Sequence, residues 1–362
     1  MVEASGRWRG ISAIAILLVI WEIVGRLDLV ADGALPGFSE ILLRLWIDWG
    51  DYPRHIWATL YASTIGFVVG NAIGIGAGMI FALSPTTLRL FRGVNIAAFA
   101  LPPIAIAPIL VLTLSGMAPR VALAALGVYF VTMTATVIGL SQTDSRTIDV
   151  IRAYGGTRWD VLRRVQLRGA LPSILAGLRV AAPNAVLGAI LAEFGGGGRW
   201  GLGAYLLGSL GRGEPDRLWG IGLVATLIAG LSYSFFALLA HRTIGATRAL
   251  TLNTAVPNAT PIESTVVKQI ALTITTIALP FLAWWGFIKL TGVPGLISKT
   301  PWGVLDYLFF ATTAENAQAR LLAALLETLP ITLTGMAAGL GFAFVLAISS
   351  RLIPAPSRLL CP

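Results

Sequence analysis

An all-α, polytopic helical bundle embedded in a bilayer is the fold this chain of 362 residues predicts, and three observations predict it. Hydrophobic residues make up 56% of the chain and charged residues 12%, with a mean hydropathy of +0.81. That is more apolar surface than a globular core can hide. The apolar residues are gathered into runs long enough to cross a membrane, about six in a first unit and two in a partial second. Arg residues concentrate in the segments that this threading puts on one side.

Ile11 to about Val30 is the first crossing, with Arg7 and Arg9 before it and Glu22 and Arg26 toward its outer end. No small-residue cleavage site follows cleanly, so the run reads as an uncleaved helix and not a signal peptide. From Asp32 to His55 the chain is rich in Trp and only moderately apolar. Ile41, Leu42, Leu45, Trp46 and Trp49 recur there as on a helix lying in the membrane interface. Trp57 to Leu83 is the clearest crossing, and Gly66, Gly70, Gly74 and Gly78 fall on one face of it. Such a stripe lets another helix approach backbone to backbone. Ser84-Pro85 closes the helix, and Arg89 and Arg92 mark the cytoplasmic side.

Val94 to Ser115 holds Pro102, Pro103 and Pro108, which remove three backbone donors from one membrane segment. Irregular backbone at that depth survives only where it is buried in protein or lines an aqueous cavity. A structural kink and a broken helix beside a translocation path are both open. Val121 to Leu140 returns to the cytoplasm, and Ile174 to Phe194 crosses outward with Pro183, Asn184 and Glu193. These polar groups should face the bundle. Asn184 is the central pore candidate, and Glu193, nearer the outer end, is placed to snorkel or to pair with an Arg. Leu218 to Ala240, ending at His241-Arg242, is the sixth crossing and returns both ends of the unit to the inside.

Between the inward and outward crossings, the stretch from Ser141 to Pro172 is polar and Arg-rich. Gly155-Gly156 should end one helix. Thr157, with Asp160 three residues on, should cap a second, and Leu171-Pro172 should end that one. Trp159, Val161, Leu162 and Val165 fall on one arc of it, and Asp160, Arg163, Arg164 and Arg168 on the other, with Leu167 among the charges. A solvated basic loop is the plainer alternative. The periodicity, the cap and the paired glycines favour a folded docking element.

Asp149-Val150-Ile151-Arg152-Ala153-Tyr154-Gly155, then nine residues, then Val165-Gln166-Leu167-Arg168 resembles the cytoplasmic EAA loop of ABC-transporter permease subunits, E-A-A-x3-G-x9-I-x-L-P. Asp149 stands in place of the Glu, Val150 and Ile151 in place of the two Ala, and Arg168 in place of the Pro. Around it, Arg158-Trp159, Ala170-Leu171-Pro172, Gly177-Leu178-Arg179, Ala192-Glu193 and Gly201-Leu202-Gly203 look like the binding-protein-dependent branch that handles sulfonates, taurine and nitrate. The resemblance covers residues from about 11 to 245.

It implies a permease, not an enzyme, in the bacterial cytoplasmic (inner) membrane with its N-terminus in the cytoplasm. The implied partners are separate ABC ATPase subunits, which use the ATP, an extracytoplasmic solute-binding protein, the lipid bilayer and a second permease unit, fused or separate. Asp149, Arg152, Tyr154, Gly155, Gly156, Thr157, Trp159, Arg163, Leu167 and Pro172 would form the ATPase-coupling surface. Pro102, Pro103, Pro108, Asn184 and Glu193 would line the solute path.

Other classes find less support. Gly195 to Gly203 is glycine-rich, but no G-x-x-x-x-G-K-[ST] occurs in the chain, so it should not hydrolyse nucleotide and should bind no cofactor itself. Cys361 is the single cysteine, and His55 and His241, both read as interfacial, are far apart in sequence, so a metal site is not expected. The net charge of +9 raises nucleic acid as a partner, but membrane topology accounts for it. An ion-driven carrier would want carboxylates near the membrane midplane, and only Glu193 and Glu327 lie in or near crossings, both toward an end. A non-transporting membrane scaffold is the remaining rival, suggested by Asp149 and Arg168.

Past a linker at 250–265, rich in Thr, Asn, Ala and Pro, the chain repeats itself. Thr59-Leu60, Gly66, Gly70, Pro85 and Arg89-Leu90 recur as Thr328-Leu329, Gly335, Gly339, Pro354 and Arg358-Leu359, at a constant offset of 269 positions. Trp21 and Pro36 have approximate counterparts in Trp285 and Pro301, and Ala343 and Ala347 continue the small stripe. Residues 1–249 are thus expected to be one permease unit. Residues 266–362 are expected to be the first part of another, with crossings at Val266 to Ile288 and Leu321 to Ile348, as in a fragment of a fused two-unit permease.

Overall fold

Trp21 fastens the first helix of the chain to the start of the second. In the computed structural model, which describes residues 2–30, 33–244, 266–292, 295 and 299–352, α1 (Val2–Arg26) contains most of the apolar run expected as the first crossing. Trp21 Nε1 donates to the Pro36 carbonyl at 3.2 Å, and its ring lies 5.6 Å from that of Phe38. Glu22 accepts from the Ser39 hydroxyl at 2.6 Å. α2 (Phe38–Ile47) is an amphipathic helix within the stretch expected at the interface, shorter than that stretch because the chain turns at Asp48 to Asp51 into α3 (Tyr52–Leu83). The linker at 250–265, Pro354, Arg358 and Cys361 lie outside the described residues.

Every regular element among the described residues is helical. α4 (Pro85–Ala100) and α5 (Pro103–Thr113) come next, then α6 (Ala118–Ser141), α7 (Ser145–Ala153), α8 (Arg158–Val161), α9 (Leu167–Phe194), α10 (Leu202–Arg212) and α11 (Pro215–Ile244). Beyond the linker come α12 (Val266–Thr291), α13 (Pro301–Leu305) and α14 (Ala314–Leu352). Among the described residues six helices are long and apolar enough to cross a membrane, or up to seven if the bent pair α4 and α5 counts as one span, and α1, expected as the first crossing, is not one of them.

The core is a three-helix seam of α3, α6 and α9. It closes because small residues face one another: Ala62, Ala124, Val128, Ala181, Ala185 and Ala189 form one fully buried cluster. On α3 a Cβ at Gly66 would overlap that of Ala124, and one at Gly70 would lie 2.6 Å from the Ala125 carbonyl. Gly74 and Gly78 meet Tyr129 and Thr136 in the same way, and Gly188 on α9 meets the Leu123 carbonyl. With lipid as apolar as leucine, close packing and backbone contact supply the attraction between such helices. The glycine stripe read from sequence is therefore the α6-facing edge of α3. Asn71 lies in this seam and accepts from the Thr132 hydroxyl at 2.5 Å.

By contacts, the described residues within 41–298 form one compact unit, and those within 1–40 and 299–362 form another. This grouping does not follow the boundaries of the sequence repeat, but the element order does repeat. A long helix, a short one near a proline and a second long one occur as α1, α2, α3 and again as α12, α13, α14. Within the first contact unit, α12 packs on α4, where a Cβ at Gly93 would overlap the Thr276 carbonyl. On α14, Gly335 and Gly339 have no such neighbour within 4 Å.

Because the seam has no room for a methyl group, Gly70→Ala should destabilise the bundle by about 1–3 kcal/mol. Gly76→Ala, on the same helix with open space around it, should leave stability unchanged or slightly raised. Thermal unfolding of the two purified variants distinguishes them, and equal midpoints would refute the seam.

Candidate functional site

The 141–172 loop, expected as a docking element, is built from two caps and a left-handed glycine. Asp144 starts α7, its side chain accepting from the Arg146 N–H at 3.0 Å. The helix ends at Tyr154, and Gly155 takes φ +77°, open to glycine at little cost. A Cβ at Gly156 would strike the Ile151 side chain at 2.5 Å, so both glycines are needed. Thr157 and Asp160 then form the reciprocal capping box: the Thr157 N–H donates to Asp160 Oδ2 at 2.9 Å and the Asp160 N–H to Thr157 Oγ1 at 3.3 Å.

Two expectations need correction here. The helix begun at Thr157 does not end at Leu171-Pro172: Pro172 lies inside α9. A π-turn over Leu162–Gln166 joins α8 directly to α9. Packing carries the helix through, since Leu162, Ala170 and Ile174 are buried against Leu140 of α6, and this burial outweighs one missing N–H. Trp159, expected on the apolar arc with Val161 and Leu162, is instead 60% exposed, while those two are buried. Asp149, Val150, Arg152, Tyr154 and Arg163 are also exposed, and Leu167 is half-buried. The loop thus presents an aromatic and apolar patch rimmed by cations, the composition of a protein contact. Behind it a cavity of about 220 Å³ is lined by residues that include Pro85, Ile148, Arg152 and Arg158.

In the proline-bearing segment the chain breaks. α4 and α5 are bent by 94° at Leu101-Pro102, both extended. Pro103 opens α5 and Pro108 lies inside it. Of the two forms left open for 94–115, a kinked helix and a broken one, the chain takes the break. Beside the break lies a cavity of about 280 Å³ between this pair, α6 and α9, and its lining includes Pro103 and Asn184. Pro102 and Pro108 are not in that lining.

Glu193 lies at the far end of α9 from the docking loop, fully buried. It accepts from Thr59 Oγ1 at 2.8 Å and from the Gly203 N–H at 3.0 Å, and Arg120 Nη1 lies 3.8 Å away. Of the two placements expected, pairing with an Arg is the one observed. Arg120 Nε also donates to the Gly197 carbonyl, and the Leu202 N–H donates to Thr59 Oγ1 at 2.9 Å. The glycine-rich stretch is what permits this clasp: a Cβ at Gly201, with φ +145°, would overlap the Glu193 carboxyl carbon. His55, read from sequence as interfacial, is buried and stacks on Tyr205 with ring centroids 4.4 Å apart.

Sequence reasoning missed a second charged group at this end. Arg217 reaches Asp48 Oδ2 at 2.6 Å and also pairs with Glu214. Arg44 holds Asp48 at 2.9 Å. Burial works against charge on Asp48, yet the Arg217 hydrogen bond and the two guanidinium charges keep its carboxyl below the usual value. Against partial desolvation, Glu214 is likewise held low by Arg212 and Arg217. Arg44 and Asp48, and Glu214 and Arg217, are one helical turn apart, but no local signal announces the Asp48–Arg217 pair that joins them, whose members are far apart in the chain. Among the described residues no group of three or more His, Cys, Asp or Glu is placed to hold a metal.

Residues 70–246 match the family described as binding-protein-dependent transport system inner membrane component. A probable ABC transporter permease protein of Haemophilus influenzae is 27% identical over 232 residues, 64% of this chain and 94% of that protein. A putative aliphatic sulfonates transport permease protein of Bacillus subtilis is 24% identical, covering 66% and 87%. The formylaminopyrimidine transport permease protein of Halalkalibacterium halodurans is 31% identical, covering 52% and 76%.

Truncating Glu193 to Ala should cost about 3–5 kcal/mol, because Arg120 is left buried without a counter-charge. The double change Arg120→Met with Glu193→Leu should recover part of it, and thermal unfolding in detergent measures both. A Glu193→Ala protein as stable as the parent would dismiss the clasp. The acid behaviour follows from sign. Asp48 and Glu214 have lowered folded values, so their contribution is present above the unfolded carboxylate value of about 4 and fades as pH falls through the folded ones. Unfolding scans at descending pH should show stability falling below about pH 4, and less steeply in Asp48→Asn.

Proposed function

Because the chain belongs to the family of binding-protein-dependent transport system inner membrane components, we propose that solute passes along the broken α4–α5 crossing and that the 141–172 loop works this path. The chain is the permease component of an ABC importer, a multi-pass inner-membrane protein and not an enzyme. One observation carries the proposal. The helix capped at Thr157–Asp160 in the exposed loop is continuous with α9, which supplies Asn184 to the cavity and ends on Glu193. A push on the loop therefore moves cavity wall and far-end clasp together.

In this reading the ATPase subunits sit against Tyr154, Trp159 and the Arg152 and Arg163 cations, with Gly155 allowing the tight turn. Those subunits bind and hydrolyse the ATP, and this chain binds no cofactor. The loop and the N-terminus are cytoplasmic, and an extracytoplasmic solute-binding protein delivers solute at the Glu193 end. Residues 266–362 belong to a second permease unit, on the strength of the constant sequence offset and the recurring order of helices.

For the solute, the motif resemblance favours a sulfonate, taurine or nitrate, and the sulfonate permease relative supports that class. The relative named for formylaminopyrimidine supports a heterocycle instead. An ion-driven carrier has less support: Glu193 is occupied by Arg120, Thr59 and Gly203 and is not free to exchange a cation.

Gly155→Asp places a side chain and a charge in the left-handed turn. It should lower co-purification of the ATPase subunit about tenfold or more, from the strain and desolvation at the contact, while thermal stability of the bundle stays near that of the parent. Uptake in proteoliposomes that persists without any ATPase would favour the ion-driven carrier. An intact assembly with no uptake in either format would leave the scaffold.

A further inference from the structure

The cavity beside the broken crossing has a chemistry of its own. At about 280 Å³ it is at the small end of small-molecule sites. No Lys, Arg, His, Asp or Glu is among its lining residues. Phe99 and Phe130 stack at its wall with ring centroids 4.3 Å apart and planes at 26°. Phe99 is 65% exposed, so the pair keeps an uncovered aromatic face. Asn184 is the one side chain in the lining that offers both hydrogen-bond donors and an acceptor. It comes close to α6 because Gly127 has no side chain: a Cβ there would lie 3.2 Å from the Asn184 carbonyl.

The backbone adds acceptors. In a continuous helix the carbonyls of Ala98 and Phe99 would receive the N–H groups of residues 102 and 103, and both are proline. Two carbonyls at the C-terminal, negative end of α4 are thus without their helical donors at the cavity wall. The start of α5 offers little in return, since Pro103 has no N–H and Ala105 and Ile106 both donate to the Pro102 carbonyl, at 3.0 and 3.3 Å.

We infer that this cavity receives an uncharged, planar heteroaromatic solute bearing N–H groups, with its ring against Phe99 and Phe130 and its polar edge on Asn184 and the freed carbonyls. The inference rests on the transport reading above and names its solute class. A sulfonate or nitrate would lose its hydration here to carbonyl dipoles of the wrong sign and no cation. A quaternary ammonium would meet ring faces and carbonyl dipoles of the right sign, but it has no N–H for the carbonyls or for Asn184, and no carboxylate in the lining balances its charge.

Labelling of a cavity cysteine tests this in the full chain. Leu187→Cys lines the cavity and is half-exposed in the parent; it is made in a Cys361→Ser background, in membrane vesicles, and reacted with a maleimide. Cytosine serves as the uncharged ring, ethanesulfonate as the anion and choline as the quaternary cation. At twice its dissociation constant cytosine leaves a third of the cavities free and slows labelling about threefold. The other two should not slow it. Asn184→Leu and Phe130→Ala should abolish the protection, and a control cysteine placed by Leu112→Cys, outside the lining, should show none. Protection by ethanesulfonate or choline equal to that by cytosine overturns the solute class but leaves the path standing. So does protection by cytosine that survives both substitutions. A Leu187→Cys protein that no maleimide reaches, with the control labelled, sinks the path and this inference together.

Discussion

Close approach of α3, α6 and α9 is the constraint on which the rest of the molecule depends. Three long helices touch backbone to backbone because glycine and alanine face each other along the seam. No hydrophobic gain drives helices together within lipid, so contact area at short range must do it. The seam gives the bundle a stiff centre in which a shift of one helix is felt by the others. Apart from the Asn71–Thr132 hydrogen bond within it, the charged clasp, the capped loop and the proline break are arranged at its two ends or beside it.

At one end is the 141–172 loop and at the other the Glu193 clasp, and α9 runs between them. Its continuity with the capped segment at Thr157 depends on burial of Leu162, Ala170 and Ile174. That packing keeps helical a stretch that contains Pro172. The far end is held by a buried carboxylate whose hydrogen bonds reach α3 through Thr59 and the start of α10 through Gly203. The Arg120 charge brings in α6. A buried ion pair of this kind contributes specificity of arrangement more than net stability, and here it fixes which helix ends meet.

Transport chemistry in such a frame is passive. The cavity wall offers two rings, one carboxamide and the carbonyls released by consecutive prolines. On the proposed solute path, these groups would select shape and hydrogen-bond pattern without holding charge. Force must then enter from outside the bilayer, and the exposed Tyr154 and Trp159 beside cations are the side chains that a partner protein would grip.

Composition and apolar runs determined the all-helical membrane bundle, because twenty apolar residues in a row have few other solutions. The glycine stripe, the paired glycines at 155 and 156 and the Thr157–Asp160 box were legible for the same reason: each is a local rule of backbone geometry. Three-dimensional packing alone decided that Pro172 does not stop a helix, that His55 and Glu193 are buried together near Gly201, that Trp159 faces out and that Asp48 answers Arg217. Those outcomes join residues far apart in the chain, and the free energy of burying one partner depends on a neighbour that no local pattern identifies.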